Sequence, residues 1–431
     1  MRVQPIVVSL LLLASACSST KVAPATATAT TPTTTATTLP ATTLPATTVE
    51  QTTVAVTTTV APTTTVATSE FTVVSDDALY VPPTPLPAGK PGDLIWTTKP
   101  KVVNGTTVTK ILYLSTTANG SRTAVSGVVY VPSSVKPDAP VLSYAHGTTG
   151  LADRCAPSKG DAGGELDQAA AVFLSEGYVV AATDYEGLGT PGVHPYVVGR
   201  SEAAGVLDAI RAARQLTKTK GKSVVWGHSQ GGGATLWAAE LAPTYAPDAN
   251  VVGAAAGAPA VELRLLSTAL RTSPYFGYIF MASAGFKAAY PQIDLSSVLT
   301  PAGLEAAAFA AENCFETVLT YRGKPAGDFI QADPASVEPF ASLLEDNTPG
   351  NLATSVPIFI YHGDNDEQIP VVGSLLMFNR ACKTGGFTIL RQTYPDQTHV
   401  SVIAKAMPDI KSYLADRLAG KPAATTPCPT G

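Results

Sequence analysis

Beyond the first hundred residues the chain alternates between two hydrophobic rhythms. Short apolar runs bounded by glycine or turn residues fall at 108–114, 124–131, 141–144, 178–182, 223–226, 357–361 and 387–391, and they predict strands. Between them, at 168–175, 203–216, 234–242 and 400–418, apolar residues return every three or four positions, which predicts helices with one buried stripe. Strands that are apolar throughout, spaced by helices, are what a sheet covered on both faces requires. The expected class is therefore α/β, with a mostly parallel central sheet. The rhythm breaks after Ala260. Residues 262–350 are mostly Ala-rich and aromatic helical stretches, and no clear strand returns until 357. This predicts a helical cap (262–350) inserted between a first part of the core (71–261) and a second part (351–431).

Residues 1–70 follow neither rhythm. Arg2, the apolar run 6–13 and then Ala14-Ser15-Ala16-Cys17 make the basic start, short apolar segment and small-residue cleavage site of a secretory signal, assigned to 1–16. The chain is expected to be exported, to the extracellular space or the cell surface. Ala14-Ser15-Ala16-Cys17 reads either as an ordinary signal-peptidase site or as a bacterial lipobox in which Cys17 is acylated and anchors the protein to the cell membrane. Five cysteines are an odd number for an exported chain, and consuming Cys17 leaves an even four, which favours the lipobox. Residues 21–70 hold 22 Thr and 5 Pro but only three charges, Lys21, Glu50 and Glu70. Such a composition cannot bury enough apolar surface to offset the entropy of ordering, so 17–70 reads as the lipobox cysteine followed by a linker. Extended at about 3.1 Å per residue, the tract would reach on the order of 150 Å. A tail without a spacing role is the alternative.

Setting the linker aside changes the charge picture little. Residues 71–431 carry 57 of the 61 charged residues, a low share for a folded body. The net charge of −5 and the absence of basic runs give no footprint for nucleic acid. After the N-terminus no apolar stretch reaches the roughly eighteen residues needed to span a membrane.

The chemistry concentrates at the ends of the predicted strands. Gly227-His228-Ser229-Gln230-Gly231 matches G-x-S-x-G directly after strand 223–226 and before helix 234–242, the context in which a sharp turn presents a serine hydroxyl to solvent. Ser229 is the expected nucleophile. A serine hydroxyl needs a base to take its proton and an acid to orient that base, in chain order Ser, Asp, His. After strand 357–361, the loop Asp364-Asn365-Asp366-Glu367 supplies three acids. Asp366 is the preferred orienter, with Asp364 as the alternative and Glu367 read as solvated or turn-forming. His399 follows the last strand and precedes the last helix, and is the expected base. His228 and His362 fall outside the required order, and His194 lies in a Pro/Gly-rich segment and reads as a surface-loop residue, with a pocket-lining residue as the alternative. His146-Gly147-Thr148-Thr149-Gly150, directly after strand 141–144, is the natural source of one amide for the oxyanion, assigned to Thr148. Gln230 supplies the second. No metal-ligand spacing occurs, and no cofactor is called for.

Taken together, 143–150, Asp184-Tyr185-Glu186-Gly187, the Ser229 turn and the Asp366 and His399 loops resemble the secretory, lipase A-type branch of the α/β-hydrolases, over roughly residues 94–429. The resemblance implies hydrolysis of carboxylic esters, with acylglycerols a usual substrate, and a cap covering an acyl-binding tunnel. It implies that 184–187 shapes the rim of the site, with a plain turn as the alternative. Sequence alone allows three pairings of four cysteines; the resemblance implies Cys155 with Cys314 and Cys382 with Cys428. Within the cap, 275–281 is a candidate acyl-chain wall, with ordinary core as the alternative. The same triad would serve a peptidase or an acyltransferase, and the fold can also persist as a non-catalytic surface-binding module. The oligomeric state is not legible.

Overall fold

The computed structural model describes residues 71–160 and 165–429. The signal segment, Cys17 and the linker lie outside the described residues. Among those described, eleven strands form one sheet: β1 (Thr72–Val74), β2 (Leu94–Thr98), β3 (Lys101–Val103), β4 (Thr106–Thr116), β5 (Arg122–Val131), β6 (Val141–Ala145), β7 (Val179–Thr183), β8 (Ser223–His228), β9 (Val251–Gly257), β10 (Ile358–Gly363) and β11 (Ile389–Tyr394). Their order is β1-β2-β4-β5-β7-β6-β8-β9-β10-β11, with β3 paired to β4 off this path. β2 to β5 are joined antiparallel, and β5 meets β7 antiparallel; from β7 to β11 every neighbour is parallel.

The parallel strands are apolar on both faces because both faces are covered. In β6, Val141 and Ala145 join the core on one side and Leu142 and Tyr144 the core on the other; in β8, Val225 faces the first and Val224 and Trp226 the second. The first core is closed by helices Gly199–Thr217, Gln230–Tyr245 and Val371–Thr384, through Val206, Ile210, Leu236 and Phe378. The second is closed by helices Glu165–Leu174 and Ser401–Leu418, through Phe173, Val402 and Ile410. Ser143, the polar residue within β6, donates its hydroxyl to the Val206 carbonyl at 2.8 Å, so its burial is hydrogen-bonded.

Sequence periodicity names no strand at β9 and no helix at Val371–Thr384. β9 reads Val-Val-Gly-Ala-Ala-Ala-Gly, short of β-branched residues beyond its start, and it is small for a reason. A Cβ on Gly253 would lie 2.5 Å from the Arg417 side chain, and one on Gly257 would lie 2.0 Å from the Tyr361 ring. Close packing of the neighbours, and not strand propensity, selects the composition.

The sheet reverses its winding between β6 and β8, which are neighbours although β7 separates them in sequence. Open α/β sheets bind ligands outside the carboxyl ends of strands at such a switch point. Between β9 and β10 the chain leaves the sheet for helices Leu263–Ala269, Tyr278–Ala289, Pro301–Ala311, Glu316–Thr320 and Phe340–Asp346, which pack around a core of their own containing Phe276, Phe280, Leu299 and Phe340. The Cys155–Cys314 disulfide and the Gly150 to Cys314 bridge fasten this helical segment to the loop after β6. A second disulfide, Cys382–Cys428, fastens the C-terminal tail to helix Val371–Thr384. These are the pairings the family resemblance implies.

Candidate active site

Ser229 sits between β8 and helix Gln230–Tyr245 with φ 61 and ψ −121, a conformation in which an ordinary residue is strained. The strain is held by close backbone packing. A Cβ on Gly231 would lie 1.9 Å from the Ala145 carbonyl oxygen, and one on Gly227 would lie 2.3 Å from the Gly231 carbonyl oxygen. These glycines let the turn press against the end of β6, where the loop containing Gly147 and Thr148 begins. Gln230 is the first residue of its helix, so its N–H has no acceptor within that helix and points out of the positive end of the helix dipole.

The other candidates come from the ends of β10 and β11. His399 Nδ1 lies 2.7 Å from Asp366 Oδ2, a charge-assisted geometry in which the ring donates and the carboxylate accepts. The other carboxylate oxygen, Oδ1, accepts from the backbone N–H groups of Gln368 at 2.9 Å and Ile369 at 2.8 Å. His362 Nε2 lies 3.2 Å from Asp366 Oδ2. Burial would push the Asp366 carboxyl up, but hydrogen bonds from His362 and His399 outweigh it and hold the group well below the usual carboxylate range. Asp366, the middle acid of the three, is thus the one paired with the histidine. Glu367 is exposed but also accepts from the His399 backbone N–H at 3.1 Å. Asp364 accepts from the backbone N–H of Asp396 at 2.7 Å. Each helps hold the β11 loop against the acid loop.

Ser229, His399, His228, Gly147 and Thr148 wall one cavity, together with Tyr144, Trp226 and Phe315. On its other side Ser229 borders a second, mostly apolar cavity, lined by Leu263, Leu266, Ile279, Phe286, Phe340 and Leu344. Ser229 is therefore only 9% exposed and faces cavities, where the sequence pattern expects a hydroxyl open to solvent. The helical segment lies over it: Tyr278 borders both cavities, and its hydroxyl donates to Gln368 Oε1 at 2.9 Å. The 275–281 cluster divides between cavity lining and core. Tyr278 and Ile279 line the apolar cavity, whereas Phe276 and Phe280 pack edge-on to one another with ring centres 4.9 Å apart in the core.

Two expectations are corrected. His194 is not a surface residue: it is fully buried, stacked on Tyr185 with ring centres 5.5 Å apart, and its Nδ1 lies 2.8 Å from the Glu186 carbonyl. Burial pushes its pKa down to about 3, so the ring is neutral. The segment 184–187 is not a rim either, because Asp184 and Tyr185 are fully buried beneath the site. Asp184 accepts from the Ser126 hydroxyl at 2.6 Å and the Ser158 amide at 2.8 Å. Pattern reasoning also passes over Glu202, which is 2% exposed and raised to about 7 by burial, against hydrogen bonds from Gln230 and Val197. Its one sequence signal is an acid directly before the apolar and alanine-rich run 203–207 of a helix.

A model of the secretory lipase family matches residues 167–426 of the chain. The chain is 30% identical over 340 residues to a secreted triacylglycerol lipase of Malassezia globosa, covering 72% of this chain and 73% of that protein. It is 27% identical over 373 residues to a protein of Mycobacterium tuberculosis named a probable inactive lipase, covering 81% of this chain and 83% of that one. Among solved structures it is similar to Candida antarctica lipase A in its closed state, with a TM-score of 0.72 at 23% identity over 82% of this chain and 89% of that one. The fold is the α/β-hydrolase fold.

Proposed function

Because the chain belongs to the secretory lipase family, we propose that it is an exported serine hydrolase that cleaves carboxylic esters, acylglycerols among them, through an acyl-enzyme on Ser229. The observation that carries this reading is the 2.7 Å contact between His399 Nδ1 and Asp366, with His399 and Ser229 in the wall of the same cavity. With Nδ1 committed to Asp366, Nε2 of the neutral ring is the acceptor that takes the Ser229 proton. Ser229 Oγ attacks the carbonyl carbon, and the amides of Thr148 and Gln230 hold the resulting oxyanion. His399 returns the proton to the leaving alcohol, and water repeats the sequence to release the acid. The apolar cavity beside Ser229 takes the acyl chain, and residues 262–350 act as the cap between the two parts of the core, 71–261 and 351–431. Export through the signal at 1–16, with acylated Cys17 and the linker 17–70 tethering the domain to the cell, fits two disulfides and a relative named as secreted.

A relative named inactive makes turnover the deciding measurement. Purified protein is expected to hydrolyse p-nitrophenyl esters, and Ser229→Ala is expected to lower kcat by about 10⁵ to 10⁶ with the fold intact. Activity retained in that variant would overturn the assignment. Rates on short-chain esters, emulsified long-chain triglycerides and peptides separate esterase, lipase and peptidase. Mass spectrometry of the mature N-terminus is expected to show acylated Cys17, and an unmodified N-terminus there rejects the anchor.

A further inference from the structure

The buried residues behind Gln230 take no part in the steps above, yet they connect to both loops that supply the oxyanion amides. Tyr185, held at φ 69, donates its hydroxyl to the His146 carbonyl at 3.0 Å, two residues before Thr148. Its ring stacks on His194, with the two planes within 10°. Because His194 Nδ1 faces the Glu186 carbonyl, it carries the ring proton, and Nε2 is left as an acceptor. The Gln230 side-chain nitrogen lies 2.8 Å from that Nε2 and 2.8 Å from Glu202 Oε1. An amide nitrogen has two hydrogens, so both are committed and the side chain has one orientation. The same Oε1 accepts from the backbone N–H of Val197 at 3.0 Å. Val197 is a β-branched residue at φ 54, a conformation that needs an external hold, and it lines the apolar cavity beside Ser229.

We propose that Glu202 and His194 are positioning residues of a buried bracket that aims the Gln230 amide at the oxyanion and, through Tyr185, keeps it in register with the loop bearing Thr148. The direction of the Gln230 N–H is set by the peptide plane between Ser229 and Gln230. On one side that plane is bounded by the strained Ser229 backbone, and on the other by a side chain clamped at two points. Releasing the clamp lets the plane rotate. The inference rests on the serine-hydrolase reading of the site.

The test compares Glu202→Leu, which cannot accept a hydrogen bond, with Glu202→Gln, whose single amide oxygen can accept from both Val197 and Gln230. Removal of a whole oxyanion donor costs about 10² to 10³ in kcat, so misaiming one through Glu202→Leu is expected to cost about 10 to 100-fold. KM should stay within about threefold, because the lost interaction belongs to the transition state. Glu202→Gln is expected to recover most of kcat. His194→Phe, which keeps the stack on Tyr185 and drops the acceptor, is expected to lose about tenfold. In parallel, hydrogen–deuterium exchange of the peptides covering 193–198 and 225–233 is expected to quicken in Glu202→Leu and not in Glu202→Gln. Wild-type kcat in Glu202→Leu, an equal loss in Glu202→Gln, or unchanged exchange in Glu202→Leu would each overturn the bracket. Should Glu202→Leu fail to fold, His194→Phe decides by the same two readouts. A wild-type protein that hydrolyses no ester would instead overturn the proposed function, while the exchange measurement still reads the bracket.

Discussion

Asp366 and Glu202 are both carboxylates sealed from solvent, and each lies one hydrogen bond from a residue that borders or walls the nucleophile's surroundings. Burial penalises charge on both, yet Asp366 is held well below the ordinary carboxylate range whereas Glu202 rises to about 7. Donor count separates them. Asp366 receives His399 and His362 on one oxygen and two backbone amides on the other, so its charge is met on every side. Glu202 receives Val197 and Gln230 on the same oxygen, and neither donor is a ring able to become a cation. In the proposed acid-base half, the structure thus keeps a negative charge beside His399. In the proposed oxyanion half, neutral donors surround a carboxyl whose charged form burial disfavours.

The sharpest way to break this contrast is Asp366→Asn. An amide there cannot hold His399 in the tautomer that leaves Nε2 free to accept, and kcat is expected to fall about 10⁴-fold while KM changes little. A fall of only a few-fold would mean that the fixed charge is dispensable. A smaller effect follows from His362→Phe, which removes one donor to Asp366 and leaves the others. A hydrogen bond to a charged group is worth about 1.5 kcal/mol at the low end, so kcat is expected to drop about tenfold. Unaltered kinetics would assign His362 to packing alone.

The smallest expected effect is on stability, and its sign differs between the two acids. Asp366, whose folded pKa is depressed, contributes stability that is present above the ordinary carboxylate range and is lost as pH falls through the folded value. The destabilisation caused by Asp366→Asn should therefore be greatest near neutrality and shrink below about pH 4. Glu202, whose folded pKa is raised, contributes stability that is full below about pH 4.3 and lost as pH rises through about 7. Glu202→Gln cannot ionise, so relative to wild type it should gain stability between about pH 5 and pH 8. Thermal midpoints of the two variants across this range should diverge, and parallel curves would show that the two carboxyls do not differ in the way described.

The two halves also differ in how much of them can be read from the chain. Ser229, Asp366 and His399 each follow the end of a strand, in a turn or loop that holds a glycine or proline within four residues, so as candidates they stand out in the local pattern. So do Thr148 and the apolar strands that carry the loops. His194 is different: Leu188-Gly189-Thr190-Pro191-Gly192 before it has the composition of an exposed loop, and composition cannot say that Tyr185 will stack on the ring and bury it. Glu202 is hidden for a related reason. An acid in the first turn of a helix ordinarily faces solvent and favours the dipole, and only the approach of Gln230, 28 residues away in sequence, makes it an internal acceptor. Strand β9 was concealed by its small residues, whose purpose is set by neighbours distant in sequence. What local pattern captures is the chemistry of the elements' ends, and what it misses are contacts made by burial.

The Cys155–Cys314 bond gives the helical segment a third mooring. A flap attached only where it leaves and rejoins the sheet could swing outward as one piece, but this one is stitched near its middle to the strap that follows the loop bearing Thr148, where Leu151 N–H also donates to the Asn313 carbonyl. While the bond is intact, the middle of the segment stays with that strap.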